Sequence, residues 1–350
     1  MPPFGTSQLK LLEKLCNVIA VSGDEGEVRK IVLEEIKNHA DEVRVDALGN
    51  VLATRRGRGA KRIRVLLDAH MDEVGLMIVA DESEGIYRFE LVGGIDTRHL
   101  VGKQFFVGKE RTPAVIGGKP IHLMESGERT RKATLDSLRL DLGLTGKAKV
   151  GDSAGFATKF RRVGPSIMAK SIDNRIGVAT VIELLKHAPS NIDLCAAFTV
   201  QEEIGLRGAK VAAQYFDPDL GIVIDSTPAN DLPDHNGNEN ISYNTKLGGG
   251  PAIYVADGST LHDPRLVRFF EVIASAAGIP YQLRQPGGGG TDSGAIQRAL
   301  AGIPTVSVSV PHRYTHSPVS LARVDDWKNT LNLLHAALKK ITPELLARRS

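Results

Sequence analysis

Two adjacent carboxylates, Glu202 and Glu203, stand in the string Val200-Gln201-Glu202-Glu203-Ile204-Gly205. The apolar run from Leu194 to Val200 before them reads as a buried strand, and a helical run from Leu206 to Tyr215 follows Gly205. Neighbouring acids on such a turn point in different directions, so one can bind a cation while the other handles a proton. The pair alone also fits a solvated helix start, where acids are favoured. Four more places carry His or Asp at or just past a predicted strand end: His70 with Asp72, Asp173, Asp225, and His316. Strand ends of a parallel sheet converge on one rim, which brings such residues together across long sequence separations. A set of histidines and carboxylates suits zinc, cobalt or manganese better than magnesium.

Each place has a plainer reading. His70-Met71-Asp72 puts both polar residues on one side of an extended chain, so Asp72 can orient the ring of His70 or simply pair with it. Asp173, ahead of Asn174-Arg175, fits an ordinary helix N-cap. Asp225 closes an apolar strand from Leu220 to Ile224, where a carboxylate without a partner is costly. His316 competes with His312, four residues earlier in the same loop.

These residues need a scaffold, and the chain supplies an α/β one. Helices are predicted from Ser7 (as cap) to Ala20, Glu25 to Asn38, Arg175 to His187, Pro264 to Ala277 and Val324 to Lys340, each with one apolar face. Val43 to Val45 and Val51 to Thr54 suggest a hairpin, and Ile63 to Leu67, Ala252 to Val255, Tyr281 to Gln285 and Pro304 to Val310 read as strands. From about Gly75 to Pro165 the texture changes to short alternating segments: Tyr87 to Leu91, Gln104 to Val107, Ala114 to Ile116, Leu135 to Leu140 and Ala148 to Phe156. The fold class expected is α/β, a mixed, mostly parallel sheet between helices. A small β-rich domain over 75–165 interrupts a catalytic domain made of 1–74 and 166–350.

Composition bounds the function. The 350 residues are 42% hydrophobic and 24% charged, with a net charge of +3, ordinary for a globular protein. The basic clusters, Arg55, Arg56, Arg58, Lys61 and Arg62, and Arg129 to Lys132, carry no interleaved aromatics, so nucleic acid is not an expected partner. No apolar run approaches the ~20 residues that span a bilayer, and the N-terminus lacks the pattern of a signal peptide. Cys16 and Cys195 both sit in apolar runs and read as core thiols, which fits a reducing cytoplasm.

The strings Asp68-Ala69-His70-Met71-Asp72-Glu73-Val74-Gly75, Asp173-Asn174-Arg175-Ile176-Gly177, Gln201 to Ala209, Asp225, Gly289-Gly290-Thr291-Asp292 and Arg313 to Pro318 together resemble one family across nearly the whole chain. It is the TET-type dinuclear metalloaminopeptidases, peptidase family forty-two of the metallo class, which includes glutamyl aminopeptidases and proteins once labelled endoglucanase. The resemblance implies a phosphorylase/hydrolase-like catalytic domain with two divalent ions per subunit, zinc or cobalt foremost and manganese next. His70 and Asp225, with Glu203 and His316, would complete two shells bridged by Asp173. Glu202 would be the general base and Asp72 would orient His70. The inserted segment would be a dimerisation domain, with dimers assembling into a tetrahedral dodecamer, and short peptides would be the substrates. Asn174 departs from the family, which commonly has Asp there, and the Gly287–Gly290 run is longer than expected.

The implied chemistry is removal of N-terminal residues: ions sharing Asp173 would lower the pKa of a water held between them, and Glu202 would carry its proton to the leaving amine. A glycoside hydrolase is a rival, since paired carboxylates serve it too, but the only tryptophan, Trp327, falls in the terminal helix. A di-metal carboxypeptidase or deacylase shares the ligand logic. A phosphate-binding loop at Gly287 to Ser293 lacks the lysine of a P-loop. A shell protein with dead sites is a further rival; every expected ligand type is present.

Overall fold

The computed structural model describes residues 2–59, 62–233 and 245–347. Lys61 and most of the polar loop between Asp231 and Gly250 lie outside them. The apolar runs pair into one long sheet. From edge to edge it passes through Glu42–Val45, Val51–Arg55, Asp193–Thr199, Arg64–His70, Leu220–Pro228, Thr305–Arg313, Ser320–Arg323, Ser166–Ala169 and Arg161–Val163. The sheet is mixed, and its parallel part is the centre, where Asp193–Thr199, Arg64–His70, Leu220–Pro228 and Thr305–Arg313 run together. Buried on both faces, those strands need the continuous apolar runs that mark them in the sequence.

Helices cover both faces. Thr6–Asn17, Gly26–Ile36, Ile172–Lys186 and Val324–Leu338 enclose the larger core, which includes Leu12, Leu15, Val178, Ile182, Ile222 and Leu334. Arg207–Phe216 and Ser293–Gln297 close the opposite face over Leu66, Ala197 and Val223. Each large aliphatic side chain fully buried there stabilises the fold by roughly 1.5–3 kcal/mol. Trp327 is buried at the larger core, its ring edge-on to Phe4 and its N–H donated to Thr180 at 2.9 Å. Cys16 and Cys195 are buried free thiols, and burial pushes both up to about 12.

The change of texture after His70 corresponds to a closed six-stranded barrel of Gly75–Asp81, Ile86–Val92, Arg139–Asp141, Thr112–Gly117, Gln104–Val107 and Ser153–Phe156. It has its own core around Leu76, Phe89, Phe105 and Phe156. Within it, the run from Leu135 to Leu140 is not one strand: a single 3-10 turn at Leu135–Ser137 precedes Arg139–Asp141.

Several boundaries differ from expectation. Ser7 lies inside the first helix; Gly5 is its N-cap, and the side chain of Gln8 accepts the Gly5 N–H at 2.8 Å. Asp225 does not end its strand. The ladder continues from Asp225 opposite Ser309 to Pro228 opposite His312, because the neighbouring strand also runs on to Arg313. The short strand Ser320–Arg323 had no strong apolar signal; it forms because it fills the gap between Thr305–Arg313 and Ser166–Ala169.

Candidate metal centre

Register sets the site. Asp68 lies opposite Ala197 on one neighbouring strand and Val223 on the other. Two residues further on, His70 meets Thr199, and Asp225 stands at the same height. The strand carrying Thr199 then turns through Val200 and Gln201 into Glu202 and Glu203. Asn50 holds that turn: its amide oxygen accepts the Val200 N–H at 2.9 Å, and its NH2 donates to the Gly208 carbonyl at 3.2 Å. Gln201, Leu206 and His316 all adopt positive φ, at 59°, 56° and 54°. Non-glycine residues hold this costly conformation only where the surroundings over-determine it.

Six side chains converge. His70 Nε2 stands 3.3 Å from Asp173 Oδ1 and 3.6 Å from Asp225 Oδ1. His316 Nε2 stands 3.0 Å from Glu203 Oε2 and 3.7 Å from Asp173 Oδ2. Asp173 thus turns one oxygen to each histidine. Donor atoms of His70, Glu202 and Asp225 lie within 4.8 Å of one another, as do those of Asp173, Glu203 and His316. Asp72 sits behind His70, its Oδ1 3.5 Å from Nδ1. It also accepts the Ser22 hydroxyl at 2.6 Å and the backbone N–H groups of Glu202 and Glu203 at 3.1 and 3.2 Å. One carboxylate therefore stands against the histidine while it holds the turn that carries both glutamates.

The capping role open to Asp173 falls to its neighbour. Asn174 Oδ1 accepts the Gly177 N–H at 3.0 Å, and its NH2 donates to the Ile224 carbonyl at 2.9 Å. That leaves the Asp173 carboxylate free to face the cleft, and an ionised Asp in place of Asn174 could not make the second bond. His312, the rival of His316, is fully buried in its strand, its Nε2 sharing a hydrogen bond with the Thr315 hydroxyl at 2.6 Å. Burial lowers its ring to about 4, so it stays neutral.

The electrostatics are those of crowded, buried anions. Burial and the neighbouring acids raise Glu202 well above the usual carboxylate range, even against the pull of His70. Burial lifts Glu203, and lifts Asp225 to about 6. Burial works against a charged His70 ring, yet Glu202, Asp173, Asp225 and Asp72 around it raise it well above its ordinary value. Burial disfavours charge on Asp173 too, but His70 and His316 hold its carboxyl low. Buried charges of this density are normally paired or bound to metal. Two imidazoles among carboxylate oxygens, with an orienting acid behind one ring, are a donor set that fits divalent cations.

Other parts of the site had weak sequence signals. Glu73, buried, pairs with Lys170 and with Arg175, which also donates to the Met71 carbonyl at 2.7 Å. These charges pin the segment just after His70. Asp68 and Asp292 are buried together, and burial raises both; Thr199 donates to Asp292 at 2.8 Å. Asp68, Glu73, Arg175 and Asp292 fall inside the strings that carry the resemblance, but only the fold shows what they touch. The glycine run is a wall of the cleft. Gly288, Gly289 and Gly290 line it, Gly289 at φ 79°, and a Cβ on Gly290 would strike Ser259 at 2.8 Å.

The family described as M42 glutamyl aminopeptidase matches residues 49–333. The chain belongs to that family. A putative aminopeptidase of Acetivibrio thermocellus is 36% identical over 94% of this chain and 97% of its own length. The lysyl aminopeptidase of Pyrococcus furiosus is 33% identical over 95% of this chain and 97% of its own. Among solved structures, the Pyrococcus horikoshii TET1 peptidase superposes with a TM-score of 0.83 at 33% identity, over 95% of this chain and 100% of its own. That peptidase is described as able to assemble into a tetrahedron or a large octahedral shell. As an M42 member the chain is an aminopeptidase, a hydrolase of peptide bonds, and the family's metallopeptidase character accords with the donor set of the cleft.

Proposed function

We propose that the cleft holds two divalent cations. His70 and Asp225 would hold one, Glu203 and His316 the other, and Asp173 could serve both. The observation that carries this reading is Asp173, with one oxygen directed at each histidine. When bound, such a pair supplies Lewis acidity and a water of lowered pKa; zinc or cobalt, then manganese, suit these donors. Glu202 is the general base. It lies within reach of His70 and Asp225, and burial raises its proton affinity above that of an ordinary carboxylate. It takes the proton of the attacking water and passes it to the departing amine. Asp72 fixes His70 and the Glu202–Glu203 backbone together, so the base keeps its position relative to the ligands.

Short peptides with a free N-terminus are the substrates. A sugar chain fits the cleft poorly, because among the described lining residues Tyr254 is the only aromatic. We assign 75–165 to dimerisation within a homo-oligomer, a reading supported by the shell-forming relative and by an apolar surface of the barrel lined by Phe106, Pro113 and Val115. Two free buried thiols support a reducing compartment, the cytoplasm. Among the described residues no helix is long and apolar enough to cross a membrane.

Replacing Glu202 with Gln tests the assignment of the base. The variant is expected to keep both cations by elemental analysis and to lose more than about a hundredfold in kcat. Activity above about a hundredth of wild type sinks Glu202 as the base.

A further inference from the structure

Family membership leaves the preferred N-terminal residue open, since the M42 label says glutamyl while a relative covering nearly the whole chain is a lysyl enzyme. The wall of the cleft away from the candidate ligands narrows the choice. The cleft holds about 580 Å³, and two charged residues line it there, Arg284 and Asp257.

Asp257 is already engaged. Its side chain is 1% exposed, and its oxygens accept the Ser259 N–H at 2.7 Å, the Ser259 hydroxyl at 2.9 Å and the Thr291 hydroxyl at 3.0 Å. It has little left to offer an incoming ammonium group.

Arg284 is the opposite case. Its guanidinium lies 4.6 Å over the Tyr254 ring, and only 6% of the residue is exposed. Its partners are neutral: the carbonyls of Ala256, Gln285 and Gly288, at 3.3, 3.0 and 3.1 Å. Among the described residues no carboxylate pairs with it. A buried cation without a counter-ion is costly, and these bonds leave the Nε–H and one Nη2–H without a partner among those residues. Two donors on one guanidinium are what a carboxylate accepts.

We infer that Arg284 is a specificity-determining residue that selects peptides with an acidic N-terminal side chain. This rests on the aminopeptidase reading of the cleft. The reacting end of the substrate would lie at the donor set of His70, Asp173, Glu203, Asp225 and His316, and its side-chain carboxylate would reach the guanidinium on the same cleft.

The first test needs no mutation. Glu and Gln differ by charge at nearly constant shape, so reporter amides of Glu, Gln, Leu and Lys are compared on the metal-loaded full chain. Glu is expected to exceed Gln at least about tenfold in kcat/KM, and the gap should narrow with added salt. Gln, Leu or Lys equal to or better than Glu overturns the inference. In Arg284→Gln the Glu-to-Gln ratio is expected to fall toward one, and Arg284→Lys should keep part of it. An unchanged ratio, or an equal loss on every substrate, reduces Arg284 to a brace for the glycine loop. Calorimetry with free glutamate and glutamine reads the same preference without turnover. If no reporter is cleaved, the peptidase reading is what fails, and equal binding of glutamate and glutamine then removes the Arg284 assignment separately.

Discussion

Asp72 shows how much one side chain can organise. It is fully buried, touches the back of His70, and accepts N–H groups from the turn that presents Glu202 and Glu203. Removing it frees the ring of His70 and leaves those donors unsatisfied. Asp72→Ala should weaken cation binding about 10- to 100-fold, read by titration of the metal-free protein with zinc; unchanged affinity would show that His70 needs no orientation. At this scale the residue types were legible. His70, Asp173, Glu202, Glu203, Asp225 and His316, which the structure brings together, carry their chemistry in their identity and in their position after predicted strands. Arg284 and Asp257 were not legible. Nothing in either residue's local sequence says that its neighbours will be carbonyls in one case and hydroxyl groups in the other.

Elements place those residues by close approach. The helix Arg207–Phe216 carries Gly208 in its first turn, where a Cβ would meet Asn50 Oδ1 at 2.3 Å and the Val200 carbonyl at 2.5 Å. No side chain fits there without pushing the helix off the strand end that carries the glutamates. Gly208→Ala is expected to destabilise the fold by about 1–3 kcal/mol and to lower cation affinity with it, measured by denaturant unfolding with and without zinc. A variant as stable as wild type would mean the contact relaxes freely. Helices with long apolar periodicity were readable to within a few residues, and Pro264–Ala277 falls on its expected range, capped by Asp263 and closed by Gly278. Strand ends were harder. Asp225 read as a terminus because charge interrupts an apolar run, yet pairing with Thr305–Arg313 carries the strand on to Pro228. Local hydrophobicity does not report on how far a partner strand extends.

For the whole molecule, burying polar groups makes stability depend on pH. His335, on the closing helix, is buried, and desolvation with help from Lys339 and His187 pushes its ring from 6.5 down to about 4. Across that window the unfolded chain takes up a proton that the folded chain refuses, so stability is lost as pH falls from about 6.5 toward 4. His335→Gln should reduce the drop in unfolding free energy between about pH 7 and about pH 5 by up to about 1 kcal/mol, the helix end being partly solvated. An identical drop in both proteins would assign the acid sensitivity elsewhere. The larger architecture, an α/β sheet interrupted by a β-rich unit, was visible in the change of texture near Gly75. Closure of that unit into a barrel was not, because short alternating strands do not state their pairing order. The proposed pair of cations, caged by distant strand ends around Asp173, is open to anomalous scattering from crystals grown with zinc. Two peaks per chain are expected, one beside His70 and Asp225 and one beside Glu203 and His316, with Asp173 in contact with both. A single peak, or two that do not share Asp173, would contradict the proposal.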